Sequence, residues 1–381
     1  MEFAWTPEQH ALRDAVVRFA RGALNDDVAA RDAKNEFSRA LWEQCAAFGI
    51  QGIPFAEEYG GGGLDAMAAV CAMEALGTVC RDNGLLFGLA AQMWSVQMPI
   101  YRFGSDELKR RILPALCDGT RIGAHGMSEP DSGSDAFSLR TRATPDGDSY
   151  VLNGTKTFVS EAPVADVFVV FATIAPEKGV LGITGFVVER GAPGFRVGRE
   201  IHKMGLRTSP MAELVFEDCR IPAANRIGRE GRGATVFNDS MEWERACILA
   251  GAVGSMQRQL DDAIAYARSR AQFGHPIATL QSVQHRLVGM KVRLENARLA
   301  LYRAVWAKQE NVDPAPAAAI AKLVISEAWQ QSALDAVQIR GGYGYTVEYE
   351  AERDLRDAIG STLYSGTSDI QRNLIARSLG L

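Results

Sequence analysis

The sequence has no pair of cysteines spaced as C-x-x-C and no cluster of histidines. Its six cysteines and five histidines are scattered over 381 residues. A disulfide framework and a metal site are therefore not expected. We expect free, buried thiols and a cytoplasmic protein.

Long apolar runs and an excess of positive charge are also missing. No uninterrupted apolar run approaches the roughly 20 residues that a membrane-spanning helix needs, and residues 1–17 lack the apolar core of a signal peptide. The 41 basic and 46 acidic residues give a net charge of −5, which argues against a generic nucleic-acid-binding surface. We therefore expect neither a membrane nor a nucleic acid as a partner.

The composition is typical of a globular protein with a large core, and the residue pattern changes twice along the chain. Residues 1–120 and 230–381 have helical periodicity, whereas 121–229 consist of short alternating runs separated by turns. We predict an α+β fold with a helical N-terminal domain, an antiparallel β middle domain and a C-terminal bundle of antiparallel helices. The predicted helices include 37–48, 67–76, 85–98, 107–116, 236–268, 277–309 and 314–338, and the predicted strands are 140–143, 150–153, 156–160, 167–173, 184–189 and 212–217.

One acidic residue interrupts an apolar stripe on the first helix of the C-terminal domain. The stripe has helical spacing, and Glu244 occupies the position between Met241 and Ile248 that an apolar residue would fill. A carboxylate in such a stripe loses hydration and is a usable proton acceptor. The alternative is a structural glutamate that pairs with a basic residue, although the adjacent Arg245 points about 100° away.

Five other segments have the composition of ligand sites, and each also has a simpler interpretation. Residues 127–135 are either a polar turn or a site for an anionic or heterocyclic ligand. In the segment Phe158 to Ser160, the aromatic ring could stack on a flat ligand ring, or the two side chains could belong to the core and the surface. The basic pair in 268–274 could bind a pyrophosphate, or it could complement the helix dipole. The glycine-rich 338–344 follows a helix, so it is no Rossmann fingerprint. Residues 363–372 lead into a helix start with free amides.

Together these segments resemble the acyl-CoA dehydrogenase superfamily across essentially the whole chain. The resemblance is based on seven motifs in the family's order. They are S-E-P-x-x-G-S-D, N-G-x-K-x-F, K-M-G-x-R, F-x-x-x-x-I-P, R-x-x-F-G, Q-x-x-G-G and G-T-S-x-x-Q-R. The resemblance implies domains at 1–120, 121–229 and 230–381, with a C-terminal four-helix bundle.

The resemblance also implies FAD as the cofactor and a homotetramer whose dimers complete each other's flavin sites. It places Met127, Ser128, Phe158 and Ser160 around the isoalloxazine ring, and Ser134 near the phosphates or the pantetheine. From the neighbouring subunit, it implies cofactor contacts by Arg270, Phe273, Gln338, Gly341 and Gly342. Thr367 and Asp369 are implied to lie at the cofactor too, although many relatives have glutamine at the position of Asp369.

The position of the catalytic glutamate departs from the commoner family pattern. Many members carry it just before G-T, where this chain has Ser365, and a minority carry it on the first bundle helix, where this chain has Glu244. The resemblance therefore implies Glu244 as the base that removes the α-proton of a thioester. Ser365 would keep a role in polarising the thioester carbonyl through its backbone N–H.

Three short motifs are similar to the subgroup of flavoenzymes that oxidise a prolyl group held on a carrier protein. They are M-x-W-E-R-A-C, S-G-T-S-D and A-P-x-A-D. The expected function is α,β-dehydrogenation of a prolyl thioester on an acyl or peptidyl carrier protein. The rival functions are dehydrogenation of a short or branched acyl-CoA, a different flavin reaction such as monooxygenation, and non-catalytic flavin binding.

The expected substrate-binding residues border a pocket for a compact acyl group. They are Met93, Trp94, Met241, Arg245 and Tyr364. Trp94 could alternatively pack between helices. The basic run Lys109 to Arg111 is a candidate dock for an acidic carrier protein or a solvated helix end.

Overall fold

A computed structural model describes residues 5–24 and 27–381. Within these ranges the N-terminal part is helical, as predicted. Side chains of Thr6, Asp65 and Asp82 accept a hydrogen bond from a first-turn N–H and so begin three of the helices. The helices are Pro7–Ala23 (α1), Val28–Lys34 (α2), Arg39–Phe48 (α3), Ala66–Gly77 (α4), Asn83–Ala91 (α5), Met98–Phe103 (α6) and Asp106–Cys117 (α7).

The predicted helix over 85–98 is not a uniform α-helix. Helix α5 is followed by a π-helical segment, Gln92–Gln97, and then by α6. Pro99, in the first turn of α6, lacks the N–H that an α-helix would direct at the carbonyl of Ser95. The π-helical segment widens the turn and shifts which side chains face a given neighbour.

The middle of the chain forms one eight-stranded sheet. Its order is β6-β7-β3-β2-β4-β5-β8, with β1 beside β4. The strands are Gly123–Gly126 (β1), Arg142–Asp146 (β2), Ser149–Ser160 (β3), Val167–Thr173 (β4), Ile183–Glu189 (β5), Phe195–Glu200 (β6), Met211–Pro222 (β7) and Arg226–Ile227 (β8).

The sheet is mixed, so the prediction of a purely antiparallel sheet needs a correction. Most neighbours are antiparallel, but β1 pairs with β4 in parallel, with Gly123 opposite Val167, and β2 meets β4 in parallel at one residue pair. The hairpin of β2 and β3 lies between β1 and β4 in the chain, and this long connection lets the two strands run in the same direction. The sequence analysis missed β1, β6 and β8.

The C-terminal part is again helical. The helix predicted over 236–268 is two helices, because the chain bends at Leu249 (φ −89°, ψ 10°). The first packs against the π-helical segment, α6 and β5, whereas the second packs against α4. The helices are Gly233–Cys247 (α8), Ala250–Ser269 (α9), Gln281–Gln309 (α10), Pro314–Arg340 (α11), Ala351–Gly360 (α12) and Ser368–Ser378 (α13), and a short hairpin joins Ala271–Gln272 (β9) to His275–Pro276 (β10).

Buried polar contacts join the three parts of the chain. Asp82 accepts hydrogen bonds from Arg31 at 2.7 Å and from Thr208 of the middle part at 2.5 Å. The adjacent Asn83 donates to Asp354 and Asp357 of α12, both at 3.0 Å. Burial raises the pKa of Asp357 to about 6.

The state of the cysteines agrees with the expectation drawn from the composition. All six cysteines are free and buried. In the described ranges no group of histidine, cysteine, aspartate and glutamate side chains could hold a metal ion. No helix of residues 5–24 and 27–381 combines the length and the apolar character needed to cross a membrane.

Helices α4 and α9 approach so closely that glycine is required on both. A Cβ on Gly254 would lie 2.0 Å from the carbonyl oxygen of Glu74, and one on Gly77 would lie 2.1 Å from that of Gly251. These neighbours are backbone atoms of packed helices, so they cannot give way locally. In contrast, a Cβ on Gly22 in α1 would meet nothing within 4 Å.

This contrast predicts opposite effects of the same substitution. Gly254→Ala should lower the free energy of unfolding by about 2 kcal/mol or more because it forces the helices apart. Gly22→Ala should raise it by about 0.5–1 kcal/mol because alanine loses less backbone entropy in a helix. Urea unfolding of both variants checks the prediction. Equal destabilisation by the two changes would show that the close approach is not limiting.

Candidate active site

A cavity of about 710 Å³ lies where the three parts of the chain meet. Its walls come from α5, the π-helical segment, β1, the end of β3, α8 and the loop between α12 and α13. Of the residues named from the sequence, the following line it: Met127, Ser128, Ser134, Phe158, Ser160, Met241, Glu244, Arg245, Tyr364, Ser365 and Thr367.

Glu244 is the acidic group at the centre of this arrangement. It is 7% exposed, and both of its carboxylate oxygens accept a hydrogen bond from a serine hydroxyl. Ser95 donates to Oε2 at 2.5 Å and Ser365 donates to Oε1 at 2.5 Å. No basic side chain of the described residues forms an ion pair with it, so the alternative of a structural ion pair is not what the structure contains. The carboxylate is held in one position while part of it remains open to the cavity.

Ser95 was not named from the sequence, and Met93 and Trp94 were named in its place. Met93 and Trp94 are fully buried and do not line the cavity, whereas Ser95 and Val96 do. Trp94 stacks on Trp243 at 5.8 Å between ring centroids, which is the alternative interpretation given above. The π-helical segment explains why Ser95 lines the cavity, because it shifts the residues that face α8. No periodicity in the sequence predicts such a segment.

The loop after α12 exposes three consecutive backbone N–H groups. Ser365 and Gly366 both have positive φ, 57° and 86°. Among the described residues, nothing accepts a hydrogen bond from the N–H of Ser365, Gly366 or Thr367. Successive free amides of this kind, placed before a helix, form a site for a negatively charged oxygen.

The carbonyls of the same loop are tied to side chains of the bundle. Arg245 donates to the carbonyl of Ser365 at 3.2 Å, and Lys322 donates to that of Gly366 at 2.8 Å. Gln371 donates to both carbonyls, at 3.1 and 2.8 Å. Because the carbonyls are held on one side, the N–H groups are fixed on the other. Lys322 was not named from the sequence, and Gln371 entered only as a member of the motif G-T-S-x-x-Q-R with no role assigned, because only the tertiary fold brings their side chains to these carbonyls.

The turn over residues 127–135 is built on a buried ion pair. Lys156 and Glu129 are 2.7 Å apart and almost fully buried, and Lys156 also donates to the carbonyl of Met127 at 3.1 Å. Burial lowers the pKa of Lys156 to about 8, although Glu129 opposes the shift. Glu129 further accepts the N–H groups of Arg140 and Thr141. The ion pair thereby fixes Met127 and Ser128 at the cavity wall.

Phe158 interrupts the regular pairing of β3. The register of β3 on β7 shifts between Lys156 and Val159, and Phe158 has a φ of 55°. Its side chain is 63% exposed and lines the cavity. An aromatic face is therefore presented to the cavity at the cost of backbone strain.

The remaining predicted site residues lie away from this cavity. Arg270 is 5.4 Å from the ring of Tyr343, so the segment with Arg270 and Phe273 lies beside the one with Gln338, Gly341 and Gly342. Phe273 is 87% exposed. The side chain of Asp369 is 90% exposed and pairs with Arg372. None of these residues lines the cavity of its own chain. The assignment of the first five to a neighbouring subunit's cofactor, and of Asp369 to the cofactor, stays a prediction.

Comparisons with known proteins cover the whole chain. Three family models match in order: acyl-CoA dehydrogenase N-terminal domain at residues 6–120, middle domain at 124–219 and C-terminal domain at 231–380. The chain is 46% identical over 346 residues, 91% of each chain, to an L-prolyl-[peptidyl-carrier protein] dehydrogenase of Pseudomonas fluorescens. It is 42% identical over 381 residues, 100% of this chain and 99% of the other, to a protein of the same name from a Serratia species.

Solved structures give the same result. The prolyl acyl carrier protein oxidase AnaB superposes with a TM-score of 0.98 at 47% identity, covering 99% of this chain and 100% of the other. PigA with FAD and proline superposes with a TM-score of 0.97 at 42% identity, covering 100% of both chains.

The buried Lys322 generates a prediction on pH. Burial, together with the charge of Arg245, lowers the pKa of Lys322 from its ordinary 10.5 to about 7. Between these values the unfolded chain binds more protons than the folded one, so this lysine makes the folded state more stable as pH rises. The stability advantage of Lys322→Met over the wild type should therefore shrink between about pH 6.5 and about pH 9.5.

Urea unfolding at both pH values measures this difference, and other groups cancel because both proteins share them. Lys178→Met is the matched control, since Lys178 is exposed. A stability difference for Lys322→Met that does not change with pH would contradict the prediction.

Proposed function

The chain belongs to the acyl-CoA dehydrogenase family, and from this premise we propose that it oxidises the α,β-bond of a prolyl thioester carried by an acyl or peptidyl carrier protein. The observation that carries the chemistry is Glu244, held by two hydroxyls at a cavity beside free backbone N–H groups. The names of two relatives at 46% and 42% identity support the prolyl group and the carrier. The alternative substrate is a short or branched acyl-CoA.

The residues of the cavity suit FAD, which is the cofactor of this enzyme. The strained and exposed Phe158 offers a ring face, and the hydroxyls of Ser128 and Ser160 line the same cavity. The free amides of Gly366 and Thr367 suit its negatively charged or carbonyl oxygens. When bound, FAD supplies the acceptor for the hydride that leaves the β-carbon.

Glu244 is proposed to take the proton from the α-carbon. A carboxylate that accepts two hydroxyl hydrogen bonds keeps further lone pairs, so one remains free for the proton. The hydroxyls of Ser95 and Ser365 fix its direction, which is what a general base requires. The α-proton of a thioester is weakly acidic, so negative charge must also be stabilised on the thioester oxygen.

Ser365 is proposed to supply that stabilisation through its backbone N–H. The loop carbonyls are tied by Arg245, Lys322 and Gln371, so the N–H does not need to reorganise during the reaction. The sequence analysis assigned Ser365 only this N–H, and the structure adds the hydroxyl contact to Glu244. Met241 and Tyr364 line the same cavity and are proposed to border the acyl group.

The remaining partners are also proposals. We propose a homotetramer, because Arg270, Phe273 and the segment 338–342 lie away from their own cavity.

A cytoplasmic location is supported by six free, buried thiols. A carrier-protein dock at Lys109 to Arg111 is not supported for Arg111, because its guanidinium bonds to Glu189 and Asn225.

The first test of the function is Glu244→Gln. The change keeps the shape of the side chain and removes its basic oxygen. We expect the variant to retain about one FAD per chain, as the wild type should, and to lose flavin reduction by substrate at least about 100-fold. Stopped-flow absorbance of the flavin measures the rate, and Glu177→Gln, an exposed glutamate, is the control. Wild-type reduction in Glu244→Gln would place the base elsewhere.

The two serines should have smaller effects than the glutamate. Ser95→Ala and Ser365→Ala each remove one hydrogen bond to a charged group, which corresponds to about a tenfold loss of rate. Equal loss in either serine variant and in Glu244→Gln would contradict the assignment of the base. A stopped-flow series with all three variants gives this order directly.

The second test concerns the substrate. Flavin reduction should be fast with prolyl-carrier protein and slow with prolyl-CoA or octanoyl-CoA, because the carrier contributes its own contacts. It should weaken as salt rises, since exposed charges are screened beyond about 8 Å at physiological ionic strength. Faster reduction by a free acyl-CoA would reject the carrier protein and leave the dehydrogenase assignment standing.

A further inference from the structure

Two aromatic rings form one wall of the main cavity. Phe87 of α5 and Tyr364 of the loop after α12 are 4.7 Å apart between ring centroids, inclined by 49°. Both line the main cavity, and both also line a second cavity of about 10 Å³. The pair therefore separates the two spaces.

The second cavity is lined mostly by apolar side chains that are buried. This side of the main cavity is therefore a closely packed apolar wall, which does not suit the entrance for a substrate on a carrier protein. These side chains include Leu86, Leu206, Ile248, Ala252 and Trp329.

Ile248 relates this wall to the catalytic base. It lines both cavities and follows Glu244 by four residues, which corresponds to a rise of about 6 Å along the helix. An acyl group whose α-carbon lies at Glu244 and whose thioester points to the entrance must extend toward this interior side. The wall therefore stands about one helical turn beyond the reacting carbons.

Helix α5, which carries Phe87, packs closely against the middle part of the chain. A Cβ on Gly88 would lie 2.5 Å from Oε1 of Glu161, and one on Gly84 would lie 2.1 Å from the hydroxyl of Thr208. A shift of α5 in this direction would meet these two side chains. Tyr364, in contrast, precedes Ser365 in the loop that holds Glu244, so its replacement would disturb the base as well.

We propose that Phe87 determines substrate specificity by closing the acyl end of the cavity after a compact group such as prolyl. The proposal rests on the proposed function, since it assumes an acyl group at Glu244. Removal of the ring would join the second cavity to the first and extend the apolar space past Ile248. Longer unbranched acyl groups would then fit.

The experiment compares Phe87→Ala and the milder Phe87→Leu with the wild type, each loaded with FAD. The ligands are pantetheine thioethers of butyryl, hexanoyl and octanoyl length that cannot be oxidised, and calorimetry measures their binding. In Phe87→Ala the affinity for hexanoyl relative to butyryl should rise about tenfold, because two more methylenes are buried. Phe87→Leu should show a smaller shift in the same direction.

Phe103→Ala is the matched control, because Phe103 is a partly buried aromatic residue of α6 that lines neither cavity. An unchanged length preference in both Phe87 variants would overturn the proposal. An equal shift in Phe103→Ala would also overturn it, since that result indicates general loosening.

Flavin reduction by prolyl-carrier protein, measured separately on the wild type, separates this proposal from the proposed function. The wild type could fail to oxidise the prolyl thioester while the Phe87 variants still show a shifted length preference. This result would reject the prolyl substrate but retain the role of Phe87 in closing the cavity. Oxidation of the prolyl thioester with no shift in the variants would retain the prolyl substrate and reject the role of Phe87.

Discussion

The hydrogen bonds that fix Glu244 join three distant parts of the chain. Ser95 comes from the N-terminal helices, Glu244 from the first bundle helix and Ser365 from the loop near the C-terminus. A buried carboxylate is costly unless donors satisfy it, so the three segments must meet with little tolerance. The cavity, its free amides and the orientation of its carboxylate all depend on this junction. The polar network around Asp82 and Asn83 adds the middle part of the chain, through Thr208, and also bonds to α12, through Asp354.

The loop at Ser365 shows how the fold maintains a conformation that the backbone alone would not favour. Two successive residues with positive φ are unfavourable for serine, and the free N–H groups lack internal partners. Three side chains compensate by donating to the carbonyls, and of the two cations among them Lys322 is fully buried. Burying Lys322 without a carboxylate partner costs further free energy, as its lowered pKa indicates. The free energy of folding is thus less favourable at this loop, and its backbone amides are left free at the cavity.

The sequence predicted the three-part fold from local patterns. The interrupted helical stripe drew attention to Glu244 but left a structural ion pair open. The resemblance to the acyl-CoA dehydrogenase superfamily, with Ser365 at the commoner position of the base, made Glu244 the expected base. Met93 and Trp94 do not line the cavity, because a π-helical segment changes the residues that face it, and Ser95 was not named for the same reason. The parallel pairing of β1 with β4 was missed because it depends on strands far apart in the chain. Lys322 lies outside the seven motifs, and Gln371 lies in one of them, but the role of both is defined only by the carbonyls that the fold brings to them.

Two phenylalanines share a combination that a folded chain normally avoids. Phe158 and Phe273 have φ values of 55° and 52°, and their side chains are 63% and 87% exposed. Positive φ is unfavourable for phenylalanine, and an exposed aromatic ring gains little of the stabilisation that burial provides. Phe158 faces the cavity, where the proposed flavin would cover it. Phe273 lies on the hairpin beyond α9, next to the exposed segment around Tyr343, where the proposed second copy would cover it. The unfavourable conformation at both positions is explained most simply if each ring packs against a surface that the single chain does not contain.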